Sequence, residues 1–210
     1  RNPGADQLYI ADNIDDLDFS DSIVHFCSVS LDDYPIKDSH NFLIEKAIKQ
    51  DAIISFDPNI RLNLWKDHNK YYERVNEYLI YANILKVADN ELEFITRKSS
   101  YNEAIKYLLN LPRTKYLIIT KGNKGATLYT KDYSIDVPSY KVDVVDTTGA
   151  GDSFIGAFLN RISIYGETYE KDVLREYLEF ASIVASLTIT KFGAMDAMPY
   201  LEEVNNDKNK

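Results

Sequence analysis

Asp146-Thr147-Thr148-Gly149-Ala150-Gly151-Asp152 places two glycines and a carboxylate directly ahead of the apolar run Phe154-Ile155-Gly156-Ala157-Phe158-Leu159. The apolar Val142, Val144 and Val145 precede it, so the pattern predicts an extended segment that stops at Asp146 and a helix that starts near Gly151. Backbone N–H groups at a helix start have no helical acceptor, and glycine lets a ligand come close to them. The helix dipole is positive there, so the amides of Gly149, Ala150 and Gly151 suit a phosphate. Asp152 conflicts with that site unless it serves as a base, because a carboxylate repels what the amides attract. Phosphoryl transfer to a hydroxyl needs that conflict: the group that takes the acceptor's proton must stand against the transferring phosphoryl. The bland alternative is that Asp152 only caps the helix and the glycines only turn the chain. A dinucleotide fingerprint would need a third glycine where Phe154 stands, and no Gly-x-x-x-x-Gly-Lys-[Ser/Thr] occurs.

The elements that position this loop read as an alternation. Strands are expected at Ile23 to Ser30, Ala52 to Phe56, Ile84 to Val87 and Tyr116 to Ile119. Between them, helices are expected after a cap at Asp38 or Ser39, with Phe42, Ile44, Ala47 and Ile48 inward, and over Lys66 to Tyr81, Asn90 to Thr96 and Tyr101 to Leu111. Alternation of this kind means crossover units and a mainly parallel sheet. Gly122-Asn123-Lys124-Gly125 turns into Ala126 to Tyr129 as an antiparallel hairpin, and two helices follow over Asp152 to Ile164 and Glu170 to Thr188. Ligands of open parallel sheets bind beyond the carboxyl ends of the strands. Polar clusters stand at such ends: Asp57-Pro58-Asn59-Ile60-Arg61, Ala88 to Glu93, and Thr120-Lys121-Gly122.

Composition bounds the rest. The 210 residues, 45% hydrophobic and 27% charged, suffice for one sizeable core, and no linker or repeat divides them. A single domain over 1–210 is expected, with 205–210 as a frayed tail. The 33 acidic against 24 basic residues give a formal charge of −9, which disfavours nucleic acid or an anionic membrane as partner. One cysteine, Cys27, forms no internal disulfide, and no apolar run is long enough to span a bilayer, so a reducing cytoplasm is the expected location. His25, His40 and His68 have no metal-ligand spacing. The chain opens on Arg1-Asn-Pro-Gly-Ala-Asp rather than methionine, which suggests a fragment.

Taken together, Asp-Thr-Thr-Gly-Ala-Gly-Asp resembles the C-terminal signature of the ribokinase-like (PfkB) carbohydrate kinases. Asp57-Pro58-Asn59-x-Arg61-x-x-Leu64-Trp65 is similar to a segment of fructokinases and related sugar-acid kinases. The resemblance runs from Arg1-x-Pro3-Gly4-Ala5-Asp6 to Pro199, and covers only the C-terminal part of such enzymes. It implies a truncated three-layer α/β fold, with residues 1–10 ending a sugar-site and lid region, and transfer of the ATP γ-phosphoryl group to a primary hydroxyl of a ketose. Fructose is the first candidate; 2-keto-3-deoxygluconate or a nucleoside in the same fold, or an inactive nucleotide-binding remnant, are the alternatives. Without the upstream portion the chain is expected to be a poor kinase, and a longer parent to form a homodimer through the lid.

What the resemblance implies about residues is specific. Asp152 is the base, and Gly149, Ala150 and Gly151 form the anion hole. Arg61, placed at the substrate, suits bidentate pairing with a phosphate or an acidic substrate group by its own chemistry, the bland reading being a surface salt bridge. Asn90 acts near the phosphates, and Glu93 acts through water on magnesium. Thr120, Gly122, Gly125 and Gly151 face ATP. Thr188-Ile189-Thr190-Lys191-Phe192-Gly193-Ala194 resembles the closing motif, which implies an adenine pocket at Ser182 and Gly193. It also implies a potassium site from Asp146, the Thr148 carbonyl, Thr188, Lys191 and Gly193. Taken alone, Asn90-x-x-Glu93 is also a capping pattern.

Overall fold

The computed structural model describes residues 4, 5, 7–10 and 14–207. They divide into two compact units, Arg1–Ile118 and Ile119–Lys210.

In the first unit, β1 (Ile23–Cys27), β2 (Ile53–Asp57) and β3 (Ile84–Ala88) run parallel, with Ile23 beside Ile53, Cys27 beside Asp57, and Phe56 beside Leu85. Crossover helices α1 (Pro35–Lys49) and α2 (His68–Leu79) join them. After β3 a 3-10 turn over Asp89–Glu91 runs into α3 (Leu92–Thr96), then α4 (Tyr101–Leu109) leads to β4 (Tyr116–Thr120), which carries the chain into the second unit. Ile54, Phe56, Ile84, Leu85, Val87, Leu117 and Ile118 are wholly buried, the near-continuous apolar pattern of strands covered on both faces. Asp67 caps α2, its Oδ1 accepting from the Asn69 and Lys70 amides at 2.9 and 3.1 Å.

The second unit holds β5 (Ala126–Tyr129) antiparallel to β6 (Ser134–Val137), then α5 (Ala150–Tyr165), α6 (Lys171–Thr188) and α7 (Leu201–Asp207). Helices α5 and α6 pack on each other, and α6 also packs on β6. Within the first unit β1, β2 and β3 are hydrogen-bonded in chain order. The fold is the expected α/β arrangement with a mainly parallel sheet and an antiparallel hairpin.

Several local expectations are corrected. Helix α1 starts at Pro35, which has no amide to satisfy at the first helical position, and not at a cap on Asp38 or Ser39; Phe42 is left 44% exposed. The valines before Asp146 form no strand: Val144 and Val145 are exposed, and the Val145 amide donates to Ile189 O at 2.8 Å instead. Strand β6, antiparallel to β5, is an addition that the turn residues did not announce. Asn205, Asn206 and Asp207 continue α7, which is anchored by buried Val204, so the tail is helical to Asp207; positions 208–210 and Asp6 lie outside the described residues. Among the described residues no helix is long and apolar enough to cross a membrane.

Candidate active site

The second unit carries the glycine loop. Gly149 is the N-cap of α5 at φ +81°, and a Cβ there would meet Ala194 Cα at 3.2 Å, so both the turn and the close approach of residue 194 require glycine. Ser153 N closes the helix start on Gly149 O at 2.8 Å, and the Ala150 amide turns to Thr147 O at 3.3 Å. Among the described residues no acceptor faces the amides of Gly149, Gly151 or Asp152. The free donors at the helix start are therefore those three, with Ala150 partly occupied. The Asp152 carboxylate is exposed in the first turn, accepts no capping hydrogen bond and has no ion-pair partner among the described residues.

Behind the loop, Asp146 Oδ1 accepts from the Thr148 amide at 2.9 Å and the Thr148 hydroxyl at 2.7 Å, while Oδ2 accepts from the Gly193 amide at 3.2 Å. The Thr148 amide above all, with the hydroxyl and Gly193, holds the Asp146 carboxyl below the usual carboxylate range. Gly193 is at φ +94° with open space beside it. Asp146, Thr148 and Gly193 are thus brought together. The Lys191 amide donates to Thr188 O at 3.4 Å, whereas the Thr188 hydroxyl turns to Val184 O and the Lys191 ammonium to Glu203 at 2.8 Å. A carboxylate offers about four lone-pair positions, and three donors on Asp146 leave room for a monovalent cation.

Thr120 ends β4 half-buried, and Gly122 follows at φ +55° with open space beside it. Gly125 differs: at φ +86° its Cβ would lie 2.0 Å from Val137 O, so the chain itself demands glycine there. Ser182, buried on α6, donates its hydroxyl to Pro138 O at 2.8 Å. Gly125 and Ser182 therefore converge on the backbone of residues 137–138.

The first unit carries a second set. Asn90 and Glu93 are both exposed, and neither acts as a cap. Between them Glu91 is buried, its Oε2 accepting from the Ala88 amide at 2.9 Å and its Oε1 from the Ile60 amide at 2.6 Å. One carboxylate thereby ties the segment after β2 to the end of β3. Burial pushes the Glu91 carboxyl up, against the two amides that stabilise its charge. Sequence reasoning passed over Glu91; the signal was its three-residue spacing from Ala88 across a strand end. Beneath it, Lys86 pairs with Asp57 at 2.8 Å. Arg61 is exposed, its Nη1 donating to Ile60 O at 3.2 Å, and it forms no ion pair among the described residues. Trp65 is buried, stacked on Tyr71 with centroids 4.4 Å apart. No group of three or more His, Cys, Asp or Glu side chains suited to a metal occurs among the described residues.

The chain is 38% identical over 201 residues to probable fructokinase-2 of Arabidopsis thaliana, covering 95% of this chain and 61% of that protein. It therefore spans about three fifths of the length of that relative. Fructokinase of Vibrio cholerae O395, a double mutant in fructose, ADP and potassium ion bound form, superposes with a TM-score of 0.88 at 27% identity, over 97% of this chain and 65% of that one. Aminoimidazole riboside kinase of Salmonella enterica, complexed with aminoimidazole riboside and an ATP analogue, gives 0.87 at 29% identity, over 100% of this chain and 70% of that one. Residues 6–201 match the description of a pfkB family carbohydrate kinase, and the chain belongs to that family.

Proposed function

We propose that residues 1–210 form the nucleotide-handling and catalytic portion, one kinase domain, of an ATP-dependent sugar kinase acting on a primary hydroxyl of a ketose, fructose first. The observation that carries this reading is Asp152. Its carboxylate does not cap α5 and, among the described residues, stands unpartnered beside free amides, which is what a base poised against a phosphoryl group requires. The unit boundary inside β4, with no linker, supports reading the two units as one domain.

In this reading Asp152 takes the proton of the acceptor hydroxyl, the oxygen attacks the γ-phosphorus, and the bond to ADP breaks. The amides at the start of α5 stabilise the charge that develops on the transferred group, each such donor being worth roughly 2.7–4 kcal/mol. Thr120, Gly122, Gly125, Ser182 and Gly193 serve ATP, and Arg61 offers the acceptor a bidentate cation. Magnesium, when bound, neutralises phosphate charge, with Asn90 near the phosphates and Glu93 reaching it through water. Asp146, the Thr148 carbonyl, Thr188, Lys191 and Gly193 would hold potassium, as the potassium bound in the Vibrio cholerae structure encourages. A cytoplasmic location and pairing of a longer parent chain as a homodimer complete the proposal.

The likeness to aminoimidazole riboside kinase favours a second acceptor class, a nucleoside. A coupled assay of ADP release with fructose, 2-keto-3-deoxygluconate and a nucleoside separates the two. It is run on this chain and on one extended N-terminally to the length of the relatives, with kcat/KM expected to be highest for fructose and much lower in the short chain. Positioning of the acceptor and exclusion of water govern that loss. Equal kcat/KM in the two chains would make the short one a complete enzyme. ATP binding without turnover in either would assign the remnant.

A further inference from the structure

The segment Pro58 to Arg61 leaves β2 through Asn59, a non-glycine residue at φ +45°, a backbone conformation that needs outside support. Much of that support comes from one phenol. Tyr71, in the first turns of α2, is wholly buried, its ring stacked on Trp65 at 4.4 Å and tilted against Phe94 at 5.5 Å. The Arg61 amide donates to Tyr71 Oη at 3.1 Å, Tyr71 Oη is 2.6 Å from Ser28 Oγ, and the Ser28 hydroxyl donates to Pro58 O. Because Ser28 spends its proton on the carbonyl, the phenol must donate to Ser28 while it accepts from Arg61. The proton directions are thus fixed from one end of the turn to the other, as Arg61 N–H to Tyr71 O–H to Ser28 O–H to Pro58 C=O. Such a chain strengthens itself cooperatively in a buried setting. Burial also pushes the Tyr71 phenol up, so it keeps the proton it must donate.

We infer that Tyr71, acting with Ser28, is a positioning residue for Arg61: it clamps both ends of the 58–61 turn and thereby fixes where the Arg61 backbone starts. The inference rests on the reading of Arg61 as an acceptor contact. The Arg61 side chain is itself exposed and, among the described residues, held only by the neighbouring Ile60 carbonyl, so the accuracy of its aim depends on its backbone. Glu91 on the Ile60 amide holds the middle of the same turn from β3, leaving Tyr71 to set its last residue.

The test is an equilibrium titration with fructose, and separately with Mg-ATP, followed by NMR on the 15N-labelled 210-residue chain and on the N-terminally extended chain of the activity assay. Wild type, Tyr71→Phe, Arg61→Ala and the double variant are compared. Tyr71→Phe keeps the ring and the stacking on Trp65, so it is expected to weaken fructose about three- to tenfold and to leave the Mg-ATP Kd within about twofold. In the Arg61→Ala background the same change is expected to add less than about twofold, because the two residues act as one unit. Equal weakening in both backgrounds, or an equal loss of Mg-ATP affinity, would show a general structural role and overturn the proposal. If Arg61→Ala binds fructose as tightly as the wild type, or if the wild type shows no specific response to fructose in either chain, the acceptor reading of Arg61 fails first and the inference with it. Should Tyr71→Phe fail to fold, Ser28→Ala breaks the same relay at its other link and is held to the same pair of outcomes.

Discussion

Lys86 Nζ stands 2.8 Å from Asp57 Oδ2, with the two side chains only 6% and 2% exposed. The pair joins neighbouring strands at the end where the polar segment of residues 57–61 departs. Asp57 Oδ1 accepts from the Asn59 amide at 3.1 Å, so the carboxylate is used on both oxygens. Removing the cation strands a buried charge, which costs more than the pair contributes. Lys86→Met is expected to lose about 3–5 kcal/mol in urea unfolding, and the double change with Asp57→Leu to recover most of it. A loss under about 1 kcal/mol in the single variant would mean that water reaches Asp57 and that the site is not dry.

Asp152→Asn tests the base directly. The amide keeps shape and polarity, removes the proton acceptor, and also lifts a negative charge from the anion site. Turnover is expected to fall by about 10²–10⁴, the usual range for a lost general base, with Mg-ATP affinity equal or tighter. The measurement is kcat beside the ATP Kd, in whichever of the shorter and N-terminally extended chains turns over. Near-wild-type turnover would place the base elsewhere.

How much of this was legible in the sequence depended on whether a side chain answered to its own neighbours or to a distant element. Strands β2, β3 and β4 were readable because burial on both faces leaves apolar runs that only Ser55 and Lys86 interrupt before the strand ends. The glycine loop was readable because the left-handed turn at Gly149 is a local demand of the backbone, even before the approach of Ala194 adds to it. Strand β6 was not: four residues of alternating burial, Ser134–Val137, carry too weak a period to stand out. Val144 and Val145 misled for the opposite reason, since apolar type alone does not supply a neighbouring strand. Glu91 was hidden by helix phase. Counting an α-helical face from Asn90 put Asn90 and Glu93 together, whereas the tighter turn over Asp89–Glu91 rotates Glu91 inward and leaves both of the others in water.

Asp146 gives a prediction about ions. Potassium is expected to raise turnover relative to a bulky organic cation at matched ionic strength, and Asp146→Ala to abolish that difference, because Asp146 ties the Thr148 turn to Gly193. Equal rates in the two salts for the wild type would count against a cation site.

Asp33 gives a prediction about acid. Its carboxylate receives Lys37 at 2.9 Å, Lys70 at 3.0 Å and Arg74 at 2.8 Å. Hydrogen bonds from Lys37 and then Lys70 pull its pKa from 3.8 to about 2. A depressed folded-state value means that the contribution is fully present above the unfolded value near 3.8 and disappears as pH falls through about 2. The stability difference between wild type and Asp33→Asn should be flat above about pH 4 and shrink towards about pH 2 in denaturant titrations. The side chain is half exposed, so the difference is small and should shrink further in molar salt. A difference that grows on acidification would mean that the network opposes folding.

Gly122 and Gly125 sit three residues apart with positive φ, yet they answer to different demands. At Gly125 an added Cβ would collide with Val137 O at 2.0 Å and Pro138 C at 2.7 Å, both backbone atoms that cannot swing aside. Strain at its φ of +86° adds about 1–3 kcal/mol to that collision, so Gly125→Ala is expected to lower Tm sharply or to prevent folding. At Gly122 nothing lies within 4 Å, so alanine there costs only the left-handed conformation, about 1–2 kcal/mol. The added methyl group points into open space, where a nucleotide held by this loop would have to approach. Gly122→Ala should therefore keep most of its thermal stability and weaken Mg-ATP by about tenfold, roughly 1.4 kcal/mol of lost approach. Calorimetric melting beside an ATP titration separates the two. A Gly122→Ala chain that melts lower but binds Mg-ATP as the wild type would make Gly122 a turn residue and remove it from the nucleotide site.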